Sequence, residues 1–200
     1  MKLKIDNANL RLANWKDKPT IKRVLTESFK NDPCIKWLTE QSRHKNKLDV
    51  IMDYTIDETL ENGCIYVTND NTGVAMWKNE AKERFTWNFI KRNLLFLFKM
   101  GVPCVIRNLK SKADSCRQFP KRQKYWYLYT IGVLPEAQGK GLASKLMNPV
   151  IEVCKSLKTP LFLETANTQN VEIYRKKGFV VTETLAHNAT TIFYMRHSLS

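Results

Sequence analysis

Tyr125 to Val133 is the stretch that most constrains the fold. Read with a period of two, Tyr125, Tyr127, Tyr129, Ile131 and Val133 share one face, and Trp126, Leu128, Thr130 and Gly132 share the other. Both faces are mainly apolar, so the pattern predicts a central strand covered on both sides. A proline turn at Pro135 and a glycine loop, Gln138-Gly-Lys-Gly141, come next. A helix is then predicted from Lys140, with Leu142, Leu146, Val150, Val153 and Leu157 on one stripe. Pro149 lies inside it, removes one backbone hydrogen bond, and is expected to kink the helix.

The rest of the chain supplies the layers that such a strand requires. Leu3 to Ala13 suggests a first strand, and Asp17 or Thr20 can cap a helix carrying Ile21, Val24, Leu25 and Phe29. Asn31-Asp32-Pro33 ends that helix, a short helix is plausible near Ile35 to Leu38, and Leu48 to Leu60 repeats at helical spacing until Asn62-Gly63. Cys64 to Thr68 and Val74 to Trp77 read as a hairpin about Asn69–Gly73, followed by a polar break from Lys78 to Arg84. Helices are expected either side of Gly101-Val-Pro103 within Phe85 to Leu109, before a basic stretch from Lys110 to Lys124. Leu161 to Glu164 is a short strand. Thr168 or Asn170 can cap a helix that Gly178 ends, and Phe179–Leu185 and Thr190–Met195 read as two strands joined by Ala186–Ala189. The expectation is a single α/β (α+β) domain over residues 1–200: a mixed, mostly antiparallel central sheet flanked by helices, with residues 80–124 a helical, substrate-side insertion before the central strand.

Charge and thiols narrow the partners. Thirty-three Lys and Arg against 19 acids give a net charge of +14, which attracts anions such as nucleic acid, an acidic surface or a polyphosphate cofactor. Trp87, Phe89, Phe96 and Phe98 among Lys91, Arg92 and Lys99 could stack on nucleic acid, or line a core or pocket of an amphipathic helix. The five cysteines are scattered and form no C-x-x-C pair, so neither a disulfide framework nor a metal site is expected, and reduced thiols point to the cytoplasm. His44, His187 and His197 show no triad or ligand spacing. The N-terminus lacks the apolar core of a signal peptide. The most apolar region, Phe89 to Ile106, is broken by charges, so no membrane span and no membrane partner is expected.

The glycine loop carries the chemistry. Glycines let a backbone approach a ligand, and the free N–H groups and positive dipole end of the following helix suit a pyrophosphate. The spacing is neither the Walker pattern nor the dinucleotide fingerprint. Val133-x-Pro135-x-x-Gln138-Gly-Lys-Gly141-Leu-Ala143 resembles the acetyl-CoA signature of the GCN5-related N-acetyltransferases (GNAT). Leu161-Phe-Leu-Glu-Thr-Ala-Asn167, Asn170, Tyr174 and Gly178-Phe179 are similar to the same family's fifth strand, fourth helix and closing strand. The Leu-Glu-Thr-Ala-Asn and Asn-Val-Glu-Ile-Tyr segments are nearest the puromycin acetyltransferase-like branch. This specific resemblance spans Tyr125 to Phe179; the N-terminal half matches only in element order.

The resemblance implies an acyltransferase that passes an acetyl group from acetyl-CoA to a primary amine of a small molecule or peptide, by direct attack in a ternary complex. It implies that the backbone of Ile131, Gly132 and Val133 binds pantetheine. Gln138, Gly139, Lys140, Gly141, Leu142, Ala143 and Ser144 would cradle the pyrophosphate, and Asn167 and Asn170 would touch the cofactor arm. Asn170 serves equally as a helix cap. Tyr174 would be the general acid, since a phenol stays protonated at neutral pH; otherwise it is a buried aromatic. Glu164 is either the general base or a structural hydrogen-bond acceptor, and ordered water is the alternative base. Phe29, Trp37 and Trp87 are acceptor-wall or core residues. A small amine or acidic peptide suits the positive chain better than a polycation; nucleic acid is a disfavoured partner, and a monomer or homodimer is expected. The alternatives to an enzyme are a non-catalytic acyl-CoA-binding module and a basic RNA- or ribosome-associated protein.

Overall fold

The computed structural model describes residues 5, 9–79, 86–120, 123–187 and 190–198. Most of the predicted start of the first strand, the polar break over 80–84 and the turn residues 188–189 lie outside the described residues. In chain order the elements begin with β1 (Leu10–Leu12), a 3-10 turn (Trp15–Asp17), α1 (Lys18–Ser28), α2 (Pro33–Thr39) and α3 (Lys47–Asn62). The hairpin β2 (Gly63–Thr68) and β3 (Gly73–Asn79) precedes α4 (Trp87–Met100) and α5 (Val102–Gln118). Then come β4 (Trp126–Val133), α6 (Leu142–Ser156), β5 (Leu161–Thr165), α7 (Thr168–Arg175), β6 (Phe179–His187) and β7 (Thr190–His197). The strands form one sheet in the order β1-β2-β3-β4-β5-β7-β6. Among the described residues only β4 and β5 pair in parallel, as a strand–helix–strand crossover through α6 requires.

Alternation along β2 and β3 explains the covered faces. Cys64, Tyr66, Ala75 and Trp77 pack on α6 through Leu146, Met147 and Val150. Ile65, Val67, Val74 and Met76 pack on α1 and α3 through Ile21, Val24, Leu25, Met52 and Ile56. Cys64 to Val67 and Val74 to Trp77 therefore find a core on one face or the other, which is why they read as apolar runs. A third cluster, Val50, Ile51, Tyr54, Phe96, Met100 and Cys104, ties α4 and α5 to α3.

The central strand departs from simple alternation. Its pairing with β3 passes from Met76–Thr130 to Trp77–Leu128, leaving Tyr129 as an extra residue in a bulge. Trp126 and Leu128 face α6, and beyond the bulge Ile131 and Val133 face it too. Tyr127 and Tyr129 point to the other side, against Phe119 and Phe162. The expected sharing of one face by Tyr127, Tyr129, Ile131 and Val133 is thus corrected: one inserted residue exchanges the faces downstream.

Helix starts were only partly foreseen. Asp17 precedes α1, but its carboxylate is used by Asn14 N–H at 2.8 Å and by Arg11 at 2.7 Å, so neither it nor Thr20 supplies a side-chain cap. Asn167, rather than Thr168 or Asn170, caps α7, its Oδ1 accepting from Gln169 N–H at 2.9 Å. The basic stretch expected after Leu109 is the continuation of α5 to Gln118. In the hairpin turn Thr68 Oγ1 accepts from Gly73 N–H at 2.9 Å while Asn71 takes the left-handed conformation.

Candidate active site

β4 pairs with β5 only from Trp126 to Leu128. From Tyr129 to Val133 it keeps β3 on one side and parts from β5 on the other. Leu134 N–H donates to Thr72 O at 2.9 Å, so Leu134 and Gly132 turn their hydrogen-bonding groups to the β3 side. By the same alternation the N–H and C=O of Ile131 and the N–H of Val133 face the open side. Gly132 has a different use. A Cβ there would lie 2.9 Å from Ser28 Oγ and 3.0 Å from Leu25 Cδ2, so its missing side chain lets α1 approach β4. Ser28 Oγ reaches Val133 O at 3.0 Å across this contact.

The loop at the end of β4 is latched from within. Gln138 Nε2 donates to Val133 O at 3.0 Å, and Lys140 Nζ donates to Glu136 O at 3.0 Å. Gly139 and Gly141 have φ of 75° and 73°, in the left-handed region, and added Cβ atoms would meet nothing within 4 Å. These glycines serve the backbone path and leave an open cradle. Gly141 starts α6 without a side-chain cap, so the N–H groups of Leu142, Ala143 and Ser144 point outward at the positive end of a fifteen-residue helix.

A cavity of about 320 Å³ opens where β4 and β5 part. Ile131, Asn170 and Tyr174 line it from the loop side, and Glu164, Ser115, Tyr127 and Tyr129 from the other. Because Asn167 holds the α7 cap, Asn170 is free of that task; Asn167 lies off the cavity. Glu164, on β5, accepts from Ser115 Oγ at 2.6 Å. Burial raises its pKa above the ordinary carboxylate range, against the opposing pull of Ser115 and the Tyr127 phenol. The buried Tyr174 packs edge-on against Phe179 at 6.1 Å, and burial with the nearby Asp32 carboxylate raises its pKa, keeping the phenol protonated. Asp32 caps α2 through Ile35 N–H at 2.9 Å, and burial raises its pKa as well. Burial, Asp32 and Glu164 together push the Cys34 thiol up, away from a thiolate.

Beneath the α3 and α5 side of the cavity lies a charged cluster that the sequence reading passed over. Glu58 on α3 is 1% exposed. Its carboxylate takes Lys78 Nζ at 2.7 Å, Lys112 Nζ at 2.9 Å and the Tyr129 hydroxyl at 3.1 Å. Lys78 Nζ also stands 3.3 Å over the Tyr129 ring. A signal did exist: Glu58 falls on the helix face of Ile51, Tyr54 and Thr55, where an acid needs a buried partner.

The remaining expected residues are scattered. Phe29 lines the cavity. Trp37 is buried in α2, its carbonyl accepting from Arg107 at 2.9 Å, and Trp87 is 83% exposed at the start of α4; neither lines the cavity. His44 accepts a turn N–H, and His197 stacks edge-on to Phe179 at 5.0 Å with its pKa lowered by burial. Among the described residues no group of His, Cys, Asp and Glu is arranged to hold a metal, and none of the five cysteines is joined in a disulfide. No helix there is long and apolar enough to cross a membrane. A second cavity of about 330 Å³, between α3 and α4, is lined by Asp53, Asp57, Glu61, Lys91 and Arg92 and reaches neither Glu164 nor Tyr174.

The profile of the acetyltransferase (GNAT) family matches residues 105–179. An uncharacterized N-acetyltransferase of Schizosaccharomyces pombe is 25% identical, over 85% of this chain and 73% of its own length. The crystal structure of histone acetyltransferase HPA2 and related acetyltransferase from Corynebacterium glutamicum superposes with a TM-score of 0.69 at 22% identity, covering 94% of each chain. Arylalkylamine N-acetyltransferase 2 from Aedes aegypti gives 0.67 at 13% identity, over 98% of this chain and all of its own. The superpositions establish the fold, a GNAT-like α/β domain. The profile and the yeast relative support the GNAT acetyltransferase family.

Proposed function

We propose that the chain is an N-acetyltransferase that takes its acetyl group from acetyl-CoA and delivers it to a primary amine of a small molecule or peptide, with both bound at once. The observation that carries this reading is the parting of β4 from β5 beyond Leu128, with the glycine loop at one end and Glu164 and Tyr174 across the gap. The residues fit a CoA arm. The free edge of Ile131 and Val133 suits the amides of an extended chain, Asn170 suits its polar groups, and the loop with the α6 N-terminus suits a pyrophosphate. Acetyl-CoA would supply the activated acyl group as a thioester.

Glu164 takes the proton that an attacking ammonium must lose; a carboxyl raised by burial is closer to the working pH and so a better base. Tyr174 holds a proton for the departing sulfur. Cys34 lines the same cavity but is kept as a thiol, which favours direct transfer over an acetylated cysteine. Residues 80–124 would form the acceptor-side insertion, α5 contributing Ser111, Lys112 and Ser115 to the wall. The segments Leu161–Asn167 and Asn170–Tyr174 favour the puromycin acetyltransferase-like branch, and free thiols suit the cytoplasm. The family match does not favour a non-catalytic acyl-CoA-binding module or an RNA-associated protein. The test is release of CoA thiol with puromycin, polyamines, aminoglycosides and peptide N-termini. Turnover with one amine class is expected. Retained CoA binding with no thiol release from any of them would overturn the catalytic reading.

A further inference from the structure

The helices α4 and α5 are apolar on two opposite sides. Inward, Phe96, Met100 and Cys104 join the core. Outward, Trp87, Leu94 and Phe98 stand at helical spacing on α4, and Val102, Ile106 and Leu109 on α5. Trp87 is 83% exposed and Phe98 89%. The two stripes stand on either side of Gly101, which turns one helix into the next with φ of 82°. Scattered exposed apolar residues are ordinary, but a continuous stripe of large ones is a contact surface. Along the two helices themselves the charge is of one sign, although Lys91 and Lys99 also line the cavity that holds Asp53, Asp57 and Glu61 of α3. Lys91, Lys99 and Lys110 are exposed beside the stripes, and no Asp or Glu occurs from Thr86 to Ala113.

We propose that this helix pair lies on an anionic lipid membrane, with the apolar stripe in the headgroup–acyl boundary and the lysines on the acidic headgroups. A bulky apolar face bordered by lysines is the pattern of an interfacial helix, and the lysines' long stems let their charges reach the headgroup plane. A membrane offers the apolar interior and the negative plane together, which complements both halves of the surface. A second copy of the chain would instead bring like-charged lysines together on a molecule of net charge +14. This docking is peripheral, and so consistent with the absence of a spanning helix among the described residues. It departs from the sequence expectation of no membrane partner, which rested on the search for a span.

The test is co-sedimentation of the full chain with phosphatidylcholine vesicles, with and without about one-third phosphatidylserine. Binding to the acidic vesicles should exceed binding to neutral ones by about tenfold or more, and should fall as salt is raised. Leu94→Gln with Phe98→Gln should lower it by about tenfold or more, and Lys91→Gln, Lys99→Gln and Lys110→Gln together by about a hundredfold. Circular dichroism and turnover of a water-soluble amine should be unchanged. Should the double variant fold poorly, Phe98→Gln alone, at a side chain already in water, decides by the same readout. The proposal is overturned if the acidic vesicles do not bind, or if the apolar variants bind as well as the parent. It is equally overturned if light scattering shows a stable dimer that Phe98→Gln dissociates.

Discussion

On the α6 flank of β4 the site presents backbone: a free strand edge, two left-handed glycines and the N–H groups of a helix start. On the α3 and α5 flank it presents side chains that hold one another: Ser115 on Glu164, and Lys78, Lys112 and Tyr129 on Glu58. The first arrangement depends on chain path and tolerates variation in exposed side chains. The second depends on every member, since a buried charge that loses a partner keeps its desolvation cost. A flank made of backbone can serve a constant ligand, while a flank made of side chains can be tuned to a particular acceptor.

The sharpest break of this contrast is Glu164→Gln. Removing a general base costs about a hundredfold or more in kcat. Because the Glu164 pKa is raised, the parent's kcat should climb with pH through that raised value, and the variant should lose that limb of the profile. Stability should move the other way. A carboxyl whose folded pKa is raised favours the fold while protonated, a contribution lost as pH rises through the folded value. Ionised Glu164 is therefore a cost to the fold at neutral pH, and Gln should hold or raise the melting temperature there. Lower activity with lower stability would instead make Glu164 a structural acceptor for Ser115.

Glu58→Gln should show the opposite signature. It leaves Lys78 and Lys112 without their shared carboxylate, and with both lysines partly reached by water the loss should be about 2 kcal/mol of unfolding free energy. The urea midpoint should fall and the acceptor KM should rise, while the KM for acetyl-CoA should stay near the parent's. A matched rise in both KM values would mean that the two flanks are not separable.

The contrast also explains what was legible in the sequence. Chain path leaves local marks: two-sided apolar strands, glycines at a strand–helix junction, a stripe from Leu142 to Val153. These gave the fold class, the loop and the order of elements. Side-chain networks leave at most one-sided marks: Glu58 stands on the buried face of its helix, but its partners Lys78, Lys112 and Tyr129 are distant in the chain and meet it only through folding. The bulge at Tyr129 was hidden for a related reason. One extra residue leaves an apolar run apolar, yet exchanges the faces of Ile131 and Val133. By residue type Trp87 suits a wall or a core, and its position at the exposed start of α4 sends it outward instead.

Tyr174→Phe tests whether the flanks meet at one proton donor. The ring packs against Phe179 and is retained, so stability should change little. Loss of the hydroxyl should lower kcat by about tenfold to a hundredfold, with acetyl-CoA binding kept within about twofold. Unchanged turnover would leave Tyr174 as packing alone and place the proton transfer in water.

The smallest effect belongs to the backbone flank. Gly141→Ala adds a Cβ that meets nothing within 4 Å, so no packing is disturbed. The penalty arises from φ of 73°, where an L-residue is disfavoured by about 1–2 kcal/mol. The loop can relieve that strain by turning its N–H groups away from the cradle, so the acetyl-CoA KM should rise by about tenfold while kcat at saturation stays near the parent's. Asparagine tolerates the left-handed conformation better than alanine, so Gly141→Asn should lose less affinity despite its larger side chain. If Asn is the worse of the two, bulk rather than backbone shape governs this flank, and the distinction between a site made of chain path and one made of side chains fails at its simplest point.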